Sequence, residues 1–223
     1  PTALNIYRGH RGRMEMRVTF QGVSCHGSAP ERGDNAIYKA SHAALEIEKL
    51  NERLKDDEFL GKGTVTISEF KSESPSLCAV ADYAHLHLDR RLTWGETKES
   101  AVKEVEDVVK QHGGTVTVLH YEEEAYTGLK YGMEKYYPTW KLPEDHIMVQ
   151  TGKNVYKALF NTEPKIDKWT FSTNGVTING YYDIPVIGFG PGNEVLAHAP
   201  NEKVATEHLV KASAFYATFA FFI

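Results

Sequence analysis

A chain of 223 residues, 41% hydrophobic and 25% charged, has enough apolar material for a buried core and the composition of an ordinary globular protein. Its net charge of -5 argues against a general nucleic-acid binder, and no apolar run approaches the roughly 18 residues of a membrane span. The two cysteines, Cys25 and Cys78, imply no disulfide framework, and a reducing cytoplasm is the expected location.

Pro1 to Gly12 carries no signal-peptide core, and residues 1–9 are expected to be a linker from a part of the protein that precedes them. Met14, Met16, Val18 and Phe20 then alternate with polar residues, the period of a half-buried strand. A small-residue loop follows from Gly22 to Asp34. Ile37, Ala40, Ala44, Ile47 and Leu54 recur at helical spacing, with Asp34 or Asn35 as the cap. Val65 and Ile67 mark a second strand, and Ala84, Leu86 and Leu88 a third. Ala101, Val105 and Val108 mark a second helix that stops at Gly113-Gly114, and Val116 and Val118 open a fourth strand. Strand, helix, strand, strand, helix, strand is the ferredoxin-like split βαβ order, assigned here to residues 10–122.

Residues 123–223 read differently. Tyr126 to His146 is expected to cross with little regular structure. A helix over 147–161, strands near 165–170 and 185–189, and a last helix over 206–221 would cover only part of an open α/β sheet. This part therefore reads as half of a layered domain whose other half precedes Pro1. The apolar stretch Phe215 to Ile223 is expected to close that last helix.

Four constellations carry chemistry. His26, in the loop Gly22-Val-Ser-Cys-His26-Gly-Ser-Ala-Pro30, is sterically open and suited to donate to an oxyanion or to bind metal. Asp89-Arg90-Arg91 closes the third lid strand, where an arginine fork can grip a carboxylate. Ser172-Thr173-Asn174-Gly175 is a polar turn after a strand. Gly188-Phe-Gly190-Pro-Gly192 lets backbone approach a ligand, and His198 follows it with Glu202 nearby. Each alone is also what a turn, a cap or a surface ion pair would look like.

Taken together and in order, these residues resemble the M20 family of metallopeptidases and amidohydrolases, which includes carboxypeptidases, acetylornithine deacetylase and succinyl-diaminopimelate desuccinylase. Gly22, His26, Pro30, Asn35 and Ala36 match the family's lid pattern. Asp89 and Arg91 match its Asp-x-Arg. Ser172 to Gly175 matches its small-residue turn, and Gly188 to Gly192, His198, Asn201 and Glu202 match its closing loop. Within the family the nearest likeness is to bacterial hydrolases linked to selenium metabolism. The resemblance implies an α/β fold: a ferredoxin-like βαββαβ lid followed by the carboxy-terminal part of an α/β zinc-hydrolase catalytic domain. It implies His26 as an oxyanion donor reaching the partner subunit's site, and Arg91 as the substrate carboxylate's grip. It places Asn174, Gly190 and Gly192 at the substrate and makes His198 a ligand to one of two zinc ions, with cobalt or manganese as substitutes. It also implies a homodimer through the lid and a small amide or peptide substrate.

The family's His-x-Asp and Glu-Glu pair belong before the lid. Here His87-Leu88-Asp89 and Glu122-Glu123-Glu124 follow His26, in the wrong order. Cys78-Ala79-Val80-Ala81-Asp82 stands where the family often has Asn and Pro, which puts a substrate-holding Asn in doubt. Two rival expectations remain: a non-enzymatic ferredoxin-like module for ligand binding or dimerisation, and a separate metal site built from His85, His87 and Asp89.

Overall fold

The computed structural model describes residues 1–222 and divides the chain into two compact bodies. One is continuous, Gly12–Pro138. The other combines Pro1–Arg11 with Thr139 onward. In chain order the strands and helices are β1 (Ile6–His10), β2 (Gly12–Gln21), α1 (Ala36–Arg53), β3 (Thr64–Glu73), β4 (Tyr83–Leu92), α2 (Lys98–Val109), β5 (Gly114–Val118), β6 (His120–Tyr121), β7 (Met133–Glu134), β8 (Tyr136–Tyr137), β9 (Trp140–Lys141), α3 (Ile147–Phe160), β10 (Ile166–Trp169) and α4 (Thr206–Phe219).

The continuous body is the ferredoxin-like lid. Its sheet runs β3-β4-β2-β5, and every ladder in it is antiparallel. The strands joined through α1 and α2 are therefore not neighbours: β4 lies between β2 and β3, and β2 lies between β4 and β5. Alternation decides the faces. Met14, Met16, Val18 and Phe20 are fully buried and join Ala40, Ile47, Leu86, Leu88, Val105 and Val109 in one core with α1 and α2. The intervening residues of β2 and β4 form a polar face, on which Glu15 opposes Asp89, Arg17 opposes His87 and Thr19 opposes His85.

Local chemistry sets the helix ends. Asn35, not Asp34, caps α1, its side-chain oxygen accepting from Ile37 N at 2.9 Å. Thr97 and Ser100 form a reciprocal capping box at α2. One buried charge joins β4 to the start of α2. Arg90 is fully buried, and its guanidinium bonds the Glu96 carboxylate and, at 2.9 Å, that of Glu104. The other Glu96 oxygen accepts from Thr93 N.

The second body corrects the expected linker. Residues 1–9 contain most of β1, the centre of a three-stranded sheet ordered β10-β1-β9. β1 pairs parallel with β10 and antiparallel with β9. The strand expected near 185–189 is reduced to one antiparallel bridge, Tyr7 to Gly188. Pro185 has no N–H to give a ladder, and a Cβ on Gly188 would fall 1.7 Å from the Trp169 ring, so the segment serves as a seat for that indole. α3 and α4 occur as expected, α4 ending at Phe219; Ile223 lies outside the described residues. Their core gathers Leu4, Ile6, Val155, Phe189, Ala212 and Phe215, with the Phe189 and Phe215 rings stacked at 3.8 Å. Among the described residues no helix is long and apolar enough to cross a membrane.

Replacing Arg90 by Met would strand the Glu96 carboxylate in the lid without its cation. Removing one partner of a buried ion pair costs about 3–5 kcal/mol. Urea unfolding followed by circular dichroism is expected to show a loss of that size for Arg90→Met, and far less for the exposed pair broken by Lys103→Met.

Candidate functional site

The six residues singled out from sequence fall in both bodies. His26 and Arg91 are on the lid; Asn174, Gly190, Gly192 and His198 are in the second body.

His26 is exposed on the loop between β2 and α1. That loop is tied to residues 78–80 by Gly27 N to Cys78 O at 2.7 Å and Val80 N to Cys25 O at 2.9 Å, bracketing a His26–Ala79 bridge. The backbone N–H of Ser28 donates to His26 Nδ1 at 3.1 Å, and the Ser28 hydroxyl lies 2.7 Å from the same nitrogen. A main-chain N–H can only donate, so Nδ1 is the acceptor. The proton of the neutral ring is then on Nε2. The loop thus presents an imidazole N–H donor, already oriented, on a solvent-facing turn.

Arg91 is engaged. Its Nε and one terminal nitrogen grip both oxygens of Asp89, at 2.8 and 2.9 Å. Residues two apart on a strand share a face, so the Asp-x-Arg spacing itself makes this contact. The neighbouring polar side chains are also paired. Glu15 receives Lys135 Nζ at 2.9 Å and contacts His87 Nε2 at 3.2 Å, with Arg13 beside it. Burial pushes the Glu15 carboxyl up, but the Lys135 and His87 hydrogen bonds and the Arg13 charge outweigh it and hold the group below its ordinary value. His85 Nε2 meets Glu69 at 3.2 Å, and Ser68 meets His87 Nδ1.

This overturns the separate metal site expected from His85, His87 and Asp89. Each side chain already holds a partner, and Asp89 is turned to Arg91. Among the described residues there is no group of three His, Cys, Asp or Glu side chains that could hold a metal ion.

In the second body the glycine loop is fastened to the chain's first residues. Thr2, 1% exposed, accepts from Gly190 N at 3.0 Å through its hydroxyl and donates that hydroxyl to Asn5 O at 2.7 Å. Ala3 N donates to Gly192 O and Leu4 N to Gly190 O. These bonds hold Ala3 and Leu4 at φ 50° and 62°, left-handed values that non-glycine residues seldom adopt. Gly192 turns at φ 77° and points its N–H at His208 Nδ1, 3.4 Å away. The amides of Gly190 and Gly192 are therefore bonded within the chain.

His198 is exposed, outside the apolar core, and also left-handed, at φ 62°. Glu202 accepts from its backbone N–H at 3.2 Å. One open imidazole does not make a zinc site, so these residues alone do not fit the metal pair that the resemblance implies.

The Asn174 side chain is exposed, on a turn built by residues that the sequence did not single out. His10 is fully buried at the end of β1. Thr173 N donates to its Nε2 at 3.0 Å, and its Nδ1 lies 2.8 Å from Arg11 O. Trp140 and Trp169 face it edge-on, ring centroids 5.3 and 6.3 Å away. A Cβ on Gly175 would sit 2.3 Å from the Trp140 ring, so this turn needs glycine there. Glu194 also escaped notice. It follows the glycine loop, and its carboxyl is raised by burial and then by the Asp167 charge, against the lowering effect of a hydrogen bond from the Thr170 backbone.

The family model for the M20 peptidase dimerisation domain matches residues 8–117. The uncharacterized protein YgeY of Escherichia coli K12 is 55% identical over 219 residues, which are 97% of this chain and 54% of that protein. An uncharacterized metallohydrolase of Methanocaldococcus jannaschii is 26% identical over 230 residues, 97% of this chain and 53% of the relative. Among solved structures, the aminopeptidase PepT of Bacillus cereus superposes with a TM-score of 0.72 at 19% identity, over 98% of this chain and 54% of that one. Likeness at that identity concerns the fold. These findings define a mixed α/β chain carrying a peptidase dimerisation domain. Residues 8–117 belong to the M20 peptidase dimerisation domain family. The chain spans about half the length of the curated relatives that it matches.

Burial holds the His10 imidazole below its ordinary 6.5, although its hydrogen bonds to the Arg11 and Thr173 backbone pull the other way. Between the lowered value and 6.5 the unfolded chain binds a proton that the folded chain refuses. The stability that neutral His10 contributes is therefore complete above pH 6.5 and is lost as pH falls below it. Unfolding free energy measured from pH 7.5 downward is expected to show this loss, and His10→Gln to remove that component.

Proposed function

We propose that this chain is part of a metal-dependent hydrolase that cleaves an amide bond of an N-acyl amino acid, a dipeptide or a related small molecule. The observation that carries the proposal is the fixed tautomer of His26. An imidazole whose Nδ1 is occupied by a backbone N–H is a poor general base and a ready hydrogen-bond donor through Nε2. Such a donor suits the oxyanion that forms when water adds to an amide carbonyl. The M20 dimerisation domain over residues 8–117, together with the likeness to a metallohydrolase and to an aminopeptidase fold, supports the same reaction class.

In this proposal His26 donates to the oxyanion in the partner subunit's site. Arg91 exchanges its grip on Asp89 for the substrate's carboxylate, and Asn174 lies at the substrate. His198 is the one metal ligand that this chain contributes, and the remaining ligands come from residues outside it. A pair of zinc ions, with cobalt or manganese as substitutes, would polarise the carbonyl and lower the pKa of a bound water. Gly190 and Gly192 shape the loop that leads to His198.

Self-association through the lid is part of the proposal. β3 is an edge strand ten residues long, and a groove of about 410 Å³ beside it is lined by Leu45, Ile47, Val65 and Ile67. The Asn51 side chain bonds the N–H and C=O of Val65, at 2.8 and 2.7 Å, and an edge that continues beyond it beside apolar side chains suits a second copy of the same edge, which would extend the sheet. Leu45 is 59% exposed, so its replacement disturbs little of the monomer. Sedimentation is expected to give a dimer for the native sequence and a monomer for Leu45→Glu.

The chain alone is expected to be inactive on acyl amino acids and dipeptides with zinc added, because it supplies one ligand of the metal pair. The full-length protein is expected to turn them over, and His26→Gln to lower its kcat by about a hundredfold or more, the usual effect of deleting an oxyanion donor. Robust turnover by the 223 residues alone, or an unchanged kcat for the His26 variant, would overturn the proposal.

A further inference from the structure

We infer that His10 is a positioning residue: through one neutral tautomer it pins the Ser172–Gly175 turn and so sets where Asn174 meets the substrate. The second half of this inference rests on the proposed role of Asn174. The first half stands on the geometry of the second body alone.

Both ring nitrogens have their roles fixed by main chain. Thr173 N–H, 3.0 Å from Nε2, makes that nitrogen an acceptor. Nδ1 then carries the proton and donates to Arg11 O at 2.8 Å. A ring with its proton on Nε2 would set one N–H against another and leave Nδ1 facing a carbonyl without a hydrogen between them. The Thr173 hydroxyl, 3.2 Å from Nε2, accepts in turn from Gly175 N at 3.1 Å. Asn174 O accepts from Thr177 N at 3.0 Å and from Ile178 N at 3.2 Å. A run of hydrogen bonds therefore leads from the buried imidazole, through Thr173, to both sides of Asn174.

The packing acts on the same point. Trp140 is 1% exposed, lies edge-on to His10, and presses its indole against the bare Cα of Gly175. His10 thus holds the threonine side of the turn and Trp140 its glycine side, while the Asn174 side chain stays in solvent. A histidine that only filled space would not need an acceptor nitrogen aimed at a backbone N–H. Glutamine can supply such an acceptor; leucine of similar bulk cannot.

The test begins with nitrogen-15 NMR of the 223-residue chain. The expected results are a neutral His10 protonated at Nδ1 and slow hydrogen exchange at Thr173 N. In His10→Leu, exchange at Thr173 and Gly175 is expected to rise about tenfold or more, the scale set by one lost buried hydrogen bond. Lid amides should not change, and His10→Gln should restore most of the protection. A proton on Nε2, or equal protection of Thr173 in the leucine variant, overturns the pin. If the leucine variant does not fold, the native tautomer and the glutamine variant decide the matter.

The substrate half is read separately, from kinetics of the full-length protein. There the leucine variant is expected to raise KM about tenfold while kcat holds within about twofold, the pattern of lost ground-state binding. Loss of protection at Thr173 with KM unchanged would overturn the role given to Asn174 and leave the pin in place. Absence of turnover in the native full-length protein would instead count against the hydrolase proposal, which the NMR result does not touch.

Discussion

Five residues, Ile6 to His10, hold the second body together because their backbone is bonded along both edges. β10 lies on one side; β9 and the Gly188 bridge lie on the other. Nothing else in that sheet spans its width. The strand also anchors both candidate loops. Just before it, Thr2, Ala3 and Leu4 bind the backbone of Gly190 and Gly192. At its far end, His10 binds the turn that carries Asn174. Two separate loops are thus fixed by the first ten residues of the chain.

The lid solves a different problem. One face of its sheet is covered by α1 and α2, and the other is crowded with ionisable groups that are only partly hydrated. Charges so placed persist when each has an opposite neighbour. Glu15 gathers Arg13 and Lys135, with His87 hydrogen-bonded beside them; Glu69 takes Lys71; Asp89 takes Arg91. The same compensation that steadies the sheet removes free lone pairs, which explains why a face rich in histidine and carboxylate holds no metal-ready cluster. It also sets a competition at Arg91, whose fork is available to a ligand only in exchange for Asp89.

The lid was legible in the sequence because it has two unlike faces. Met14 to Phe20 and Ala84 to Leu88 alternate with polar residues, and a period of two can be read without a structure. β1 was not legible: Ile-Tyr-Arg-Gly-His has no alternation, since its burial comes from neighbours on both sides, and a segment with no pattern of its own resembles a linker. The expected strand at 185–189 failed for the opposite reason. Val186 and Ile187 look like strand, but Pro185 and the tryptophan over Gly188 limit pairing to one residue. Among site residues, His26 was visible as a histidine among small residues, whereas the bond that gives it a fixed tautomer depends on the path of the backbone at Ser28. His10 had no local signal, because Thr173, which fixes its Nε2, lies 163 residues away along the chain.

The backbone at His198 has a consequence for anyone engineering this protein. A β-carbon at φ 62° costs of order 1–3 kcal/mol, and glycine at such a position escapes that strain. Random libraries screened for thermal resilience alone would therefore favour His198→Gly, a change that hardens the scaffold while deleting its one open imidazole beside the glycine loop. Rigidity and the role proposed for His198 are set against each other at a single peptide unit, so selection for heat tolerance needs a simultaneous check on that proposed role.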